Sequence, residues 1–309
     1  VTNQMGDARF PIASYFYFNA VVLFNLLLNK PSSILYYETI SSLAVLAYKK
    51  YWNKKVQVYA HFHEYNSPRE YPEGNKFWAW LRQFEKNSFN TFKQVSQTNR
   101  KRMELFLNDN PSLKTSSVNK EVLPNYPLRS WKKNQAKPIM PVKFVYVGYS
   151  VDEKTNYIRE LVNWLANQEK KIELDIYCHK QNSLPADLQG GLGSLKVNLK
   201  ESIAYSELPN VLPLYQIGLI LYKGHTQNYI HNAPNKLFEY LVCGLDVWFP
   251  DVMEEMKKYV SEISPKVVEL DFTDLNKYNF EDLLKPTDKR RVIEYEAEKV
   301  YEDFIEKLS

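Results

Sequence analysis

The stretch HNAPNKLFEYLVCGLDVWFP, His231 to Pro250, gathers a histidine, two asparagines, a lysine and a glutamate at the head of an otherwise apolar segment. Pro234 suits the first turn of a helix, where its missing N–H would have no partner anyway. Asn232 can cap that end with its side-chain oxygen, and Gly244 fits the residue just past the last turn. The spacing predicts a helix from about Pro234 to Cys243, entered from the apolar strand IGLILY. Its start then lies at the carboxyl edge of a sheet, where backbone N–H groups and the helix dipole favour an anion. Lys236 puts a positive charge in the first turn, where a lysine is otherwise unfavourable; a phosphate would explain it. Glu239 follows one turn later on the face of Lys236 and Asn235, and a carboxylate there can accept hydrogen bonds from a sugar diol. The same residues also fit a plain capped core helix with a surface Lys–Glu pair.

Other chemistry-bearing residues are sparser. His61 and His63 sit two apart on a strand and share one side of it. A zinc site would need third and fourth ligands that are not evident nearby. At a sheet's carboxyl edge His63 could contact a sugar or orient a hydroxyl, or be a satisfied structural histidine. His179 and His225 stand at other strand ends. Trp78, Trp80 and Phe84 have helical spacing, which fits core or membrane-facing burial as well as a sugar-stacking platform. The two cysteines, Cys178 and Cys243, lie in apolar runs, so packing and a reducing cytosol are expected rather than a disulfide framework.

These residues need a scaffold, and the chain supplies two. Its 309 residues are comfortable for two domains, and 44% apolar with 15% aromatic residues excludes disorder. Strand-like and helix-like segments alternate in both halves, which implies parallel sheets faced by helices. The first half has KVQVYAHFHEY as a strand and NKFWAWLRQFEKNSF as a helix burying Phe77, Trp80, Leu81 and Phe84. The second has KFVYVGYS, IELDIYCHK, LKVNLK, IGLILYKG, DVWFP and PKVVELDF as strands. A charged terminal helix with Val292, Tyr295, Val300 and Phe304 as its apolar stripe closes the chain. Four prolines between Pro124 and Pro141 mark a linker, so the expected domains are 1–137 and 138–309. The early run YFYFNAVVLFNLLLN is shorter than the roughly 20 residues of a bilayer span and reads as a core helix. Residues 1–137 hold twenty Lys and Arg against nine Asp and Glu, a balance of +11; residues 138–309 hold twenty against twenty-seven, a balance of −7. A basic half suits anionic lipid head groups or an anionic acceptor, and also fits an ordinary solvated surface.

PNKLFEYLVCG resembles the signature of retaining glycosyltransferases of the GT-B architecture in family four, in the branch carrying Pro-Asn-Lys. FVYVGYSVDEK is similar to the first strand and loop of that family's donor-binding domain. YSELPNVLPLYQIGLILYKG is similar to the segment that cradles the base and leads to the sugar, and VYAHFHEY to the His-Glu segment of the acceptor domain. The resemblance is strong over 138–250 and weaker over 30–130. It implies an α/β protein with two Rossmann-like domains facing across a cleft, the terminal helix packing back on the first. It implies transfer of a sugar from a UDP-, GDP- or TDP-linked donor to a glycan or lipid-linked acceptor, with retention and without metal or other cofactor. The implied donor-binding residues are Gly148, Tyr149, Lys154, Lys223, Asn232, Asn235, Lys236, Leu237 and Glu239; the implied catalytic positions are His63 and His231. His231 stands where the family has its first glutamate. The family's first strand and glycine-rich loop would precede VTNQMGDARF, so either a truncated chain or an abbreviated first domain is expected. The expected setting is the cytoplasm, at the inner face of the plasma membrane, in polysaccharide or glycolipid synthesis, with no nucleic-acid partner. The alternatives are a non-catalytic nucleotide-sugar-binding subunit and a sugar-nucleotide epimerase of the same fold.

Overall fold

The computed structural model describes residues 11–68, 76–133 and 141–308. They fall into two compact units, Val1–Pro124 with Tyr301–Ser309, and Asn125–Val300. The boundary expected near residue 137 lies outside the described residues; the chain divides between Pro124 and Asn125, inside the proline-bearing segment.

In the first unit four parallel strands, β1 (Ser33–Tyr37), β2 (Gln57–Phe62), β3 (Gln94–Gln97) and β4 (Asn119–Val122), pair in that order. Strand β2 is buried on both faces after Gln57, as the interior of a parallel sheet requires. Its helices are α1 (Pro11–Asn29), α2 (Ser42–Tyr51), α3 (Lys76–Ser88), α4 (Arg100–Asp109) and the single turn α5 (Pro111–Lys114). Val45, Leu46, Val58, Ala60, Val95 and Leu113 form the centre of the core.

Helix α1 is not a core helix: Tyr15 and Asn19 are buried, while Phe16, Tyr17, Phe24 and Leu28 face solvent. Asn19 holds it in place, its Oδ1 accepting the Ala44 N–H in the first turn of α2 at 3.0 Å, one of the donors a helix start leaves unpaired. Helix α3 buries Leu81 and Glu85, not Trp80. The Glu85 carboxylate accepts from the Tyr36 hydroxyl and from Thr39 Oγ1, both at 2.7 Å. Burial outweighs these bonds and pushes its pKa up to about 7.

The second unit holds β5 (Val142–Gly148), β6 (Ile172–Cys178), β7 (Gly190–Leu192), β8 (Leu195–Lys200), β9 (Ile217–Leu219), β10 (Asp246–Pro250) and β11 (Val267–Leu270). Its helices are α6 (Ile158–Ala166), α7 (Leu208–Val211), α8 (Gln227–Ile230), α9 (Asn235–Val242) and α10 (Phe280–Leu284); the terminal helix α11 (Ala297–Leu308) belongs to the first unit from Tyr301 onward. The sheet runs β11-β10-β9-β5-β6-β8-β7, with only β7 antiparallel. Numbered along the chain, the six parallel strands take the Rossmann order 3-2-1-4-5-6. The order reverses between β5 and β9, so the crevice beyond their carboxyl ends is where such a sheet takes a ligand. The terminal helix is shorter than expected. It starts at Ala297, leaving Val292 exposed, and Phe304, itself part of the first unit, packs edge-on against Tyr59 of that unit's sheet at 5.5 Å.

Because the folded pKa of Glu85 lies above its unfolded value, the native state holds the extra proton between about pH 4.5 and about pH 7. Stability therefore falls as pH rises through that window. Glu85→Gln keeps the shape and removes the titration. Urea midpoints at pH 5 and pH 8 are expected to move in the variant's favour at pH 8, by on the order of 2 kcal/mol.

Candidate functional site

Helix α9 is placed by one close contact. Gly218 lies in the middle of β9, and a Cβ there would sit 2.3 Å from the Tyr240 ring. The absent side chain lets the ring lie against the strand, fully buried, and its hydroxyl accepts the Val147 N–H of β5 at 3.2 Å. One residue thus bolts α9 across both strands at the reversal point. The helix ends in a Schellman motif: Leu245 N–H bonds Tyr240 O at 3.0 Å, Gly244 N–H bonds Leu241 O at 3.1 Å, and Gly244 has φ +86°. At the other end the cap differs from expectation. Pro234 is the capping residue, without a side-chain bond, and Asn232 sits in the preceding turn, its N–H on Tyr229 O. Proline fits there because it fixes its own backbone and has no N–H to leave unpaired.

With α9 so anchored, Lys236 and Glu239 share a face at the carboxyl edge. Lys236 Nζ lies 3.4 Å from the Tyr222 hydroxyl. Burial pulls its pKa down, but Tyr222 and Glu239 outweigh that, so it stays charged. Glu239 is almost fully buried. Burial raises its pKa, opposed by Lys236 and by a hydrogen bond from Tyr205, whose ring packs on Trp131 at 4.7 Å. A buried carboxyl with an ammonium one turn away is an arrangement able to bind both hydroxyls and negative charge.

The two loops at the crevice are stitched together. Tyr157 N–H bonds Leu221 O at 2.8 Å and Lys223 N–H bonds Thr155 O at 2.9 Å, on either side of an Asn156–Tyr222 bridge. Beside them Tyr146, Tyr149, Ser150, Thr155, Asn156, Tyr222 and Tyr229 line a cavity of about 150 Å³. That holds a phosphate-sized group; a whole drug-sized ligand needs about 300–1,000 Å³. Gly148 is the last residue of β5, and the Tyr146 ring lies so close that a Cβ there would meet it at 2.8 Å.

Tyr149 is exposed and stacks on His179 at 5.6 Å. Lys154 is exposed, its N–H on Asp152 Oδ1. Lys223 is turned to α6, its Nζ 2.8 Å from Glu160 Oε1 and over the Tyr157 ring. Asn235 is exposed at the helix start and Leu237 is core. His231 closes α8, its N–H on Gln227 O. The structure thus brings Tyr149 and Tyr222 to one cavity with Lys236 resting on Tyr222, while Lys223 is held by Glu160. Cys243 is buried, its thiol pushed up to about 12, which fits packing.

In the first unit His63 follows β2. Its peptide is held from two sides: Glu38 Oε1 accepts the His63 and Glu64 N–H groups at 2.5 and 3.0 Å, and Arg102 Nη1 donates to His63 O at 2.6 Å. Burial, then Arg102, lower the His63 pKa, so its imidazole is neutral at pH 7. Glu38 has φ +59° and ψ 153°, a conformation rare outside glycine, stored beside this peptide. No local signal in the sequence marks Glu38 or Arg102; both act through partners 25 or more residues away. His61 Nδ1 is 2.9 Å from Ser96 Oγ, and its ring packs on His63. Among the described residues no group of three or more His, Cys, Asp or Glu is gathered as a metal ligand set.

No protein-family model and no curated protein matches the sequence. Solved structures do. Anabaena Alr3699/HepE in complex with UDP and glucose aligns over 94% of this chain and 80% of its own at 11% identity, with a TM-score of 0.68. The α,α-trehalose 6-phosphate synthase of Burkholderia multivorans aligns over 97% and 76% at 11% identity, TM-score 0.65. The apo lipopolysaccharide outer core galactosyltransferase WaaB aligns over 86% and 69% at 14% identity, TM-score 0.52. The architecture these share is GT-B, and this chain has it: an α/β fold of two Rossmann-like domains.

Two substitutions test the anchoring of α9. Gly218→Ala is expected to lower stability by about 2 kcal/mol or more in urea unfolding, because the clash is with a fixed ring. Tyr240→Phe keeps the packing but strands the Val147 N–H, at a cost of about 1–3 kcal/mol.

Proposed function

We propose that the chain is a glycosyltransferase that moves a sugar from a nucleotide-sugar donor to a glycan or lipid-linked acceptor. The observation that carries this is a buried Glu239 one turn from a charged Lys236, which rests on Tyr222, at the carboxyl edge of a Rossmann-ordered sheet, at its reversal point. Support comes from neighbours of the same fold, among them one solved with UDP and glucose and a lipopolysaccharide galactosyltransferase.

In such a transfer the nucleoside diphosphate leaves with added charge, and a site serves it by fixed positive charge aimed there. Lys236 is suited to that role because its partners keep it protonated. Glu239 would take the ribose diol. The small cavity beside Tyr222 and Gly148 would take a phosphate. Resemblance alone supports retention, independence of metal, a UDP-, GDP- or TDP-linked donor, and the sugar-side roles of His63 and His231. The basic half and the lipid-linked acceptor together favour work in polysaccharide or glycolipid synthesis at an anionic membrane surface. His231 in the place of the family's glutamate supports a second reading, a nucleotide-sugar-binding subunit without turnover.

The test is thermal unfolding with UDP, GDP, TDP or CDP and their sugar conjugates, without metal. A ligand at about a hundred times its dissociation constant adds roughly 2.7 kcal/mol of stability. One nucleotide is expected to shift the protein, and both Glu239→Ala and the shape-conserving Glu239→Gln are expected to lose the shift. No shift with any of them would refute donor binding; a shift without turnover on any acceptor would favour the second reading.

A further inference from the structure

We propose that the exposed aromatic faces of α1, α2 and α3 form the surface by which the protein docks on an anionic lipid bilayer. This deepens the membrane contact proposed above and does not depend on the transfer reaction.

Helix α1 is apolar almost all round, yet only one side of it is covered. Tyr15 and Asn19 are buried, with Leu23, Leu26 and Leu27 packed on the core, while Tyr17, Phe24 and Leu28 are 73%, 61% and 64% exposed. A helix facing water carries polar residues on its outer side; this one carries Phe, Tyr, Val and Leu, with Asn25 and Asn29 bonded back to the helix's own carbonyls. The patch continues beyond α1. The Phe16 ring lies 5.5 Å from Phe77 of α3. Phe77, Trp80 and Phe84 then run on along α3, the last two stacked at 5.6 Å, with Trp80 52% exposed. At the end of α2, Tyr51 and Trp52 are exposed, and Lys50 Nζ lies 5.2 Å from the Tyr51 ring and 5.4 Å from the Phe84 ring. A contiguous patch of this kind marks an interaction site rather than scattered surface.

Charge selects the occupant. The three helices carry Lys49, Lys50, Lys76, Arg82 and Lys86 and one acidic residue, Glu85, which is buried against Tyr36 and Thr39. A second copy of the chain would bring like charge against like. Anionic head groups complement it, and aromatic rings interleaved with lysines are the composition of an interfacial surface. Among the described residues no helix is long and apolar enough to cross a membrane, so α1 would lie along the surface. Two forces then act: lysine attraction, which salt screens, and ring insertion, which it does not.

The experiment is co-sedimentation of the full chain with vesicles of phosphatidylglycerol in phosphatidylcholine, with brominated acyl chains as a depth quencher of tryptophan. Wild type is expected to bind, to keep part of that binding in high salt, and to be quenched. Phe16→Ser/Phe24→Ser/Leu28→Ser, all exposed positions, is expected to bind at least about tenfold more weakly while keeping its circular dichroism. Lys50→Glu/Lys86→Glu, which leaves every ring in place, is expected to lose the salt-sensitive part. The proposal is overturned if wild type ignores anionic vesicles at low salt, if the triple variant binds like wild type, or if wild type is a dimer that the triple variant dissociates. Nucleotide-induced thermal shifts on the same samples report the donor site separately, so either reading can fail alone.

Discussion

The Tyr240 ring rests on the bare backbone of β9 at Gly218, and its hydroxyl takes the Val147 N–H of β5. Strand β9 is only three residues long while β5 continues to Gly148, so this hydroxyl serves a donor on the longer strand. Everything proposed for the second unit hangs on that contact. It fixes the height and rotation of α9, and those set where Lys236 and Glu239 emerge. The Schellman closure at Gly244 then sends the chain into β10 at once, so the helix has little freedom to slide.

Burial makes the charges in this corner consequential. An ammonium and a carboxylate one turn apart on an exposed helix would be worth a few tenths of a kcal/mol and would recruit nothing. Here burial removes Glu239 from water and raises its pKa, Lys236 and Tyr205 act against that rise, and Lys236 itself rests on Tyr222. Tyrosines dominate the lining because they bury an apolar body while offering a hydroxyl at the rim. In the first unit the same economy appears at His63, where Glu38 and Arg102 grip the peptide and leave the imidazole neutral.

Much of the scaffold was legible in the residue pattern. The apolar runs of β5, β6 and β10 and the stop at Gly244 are local signals, and Lys236 and Glu239 share a face by helical period alone. What stayed hidden depended on partners distant in sequence. Periodicity could not say which side of α1 is covered, because both sides are apolar. Lys223 reads as a free cation until Glu160, on another element, claims it. The antiparallel β7 is three residues with two glycines, too short for a pattern. Asn232 has the right chemistry for a cap but lies in the turn before the one that Pro234 begins.

The proposed transfer depends on a nucleotide seating at the reversal point between β5 and β9. Hydrogen–deuterium exchange with and without the nucleotide that stabilises the protein measures this most directly. Protection is predicted in the loop after β5, in the β9 loop at Tyr222–Lys223, and in the first turn of α9, with the N-terminal turn of α6 little changed. Protection confined to other elements, or none at saturating nucleotide, would contradict it.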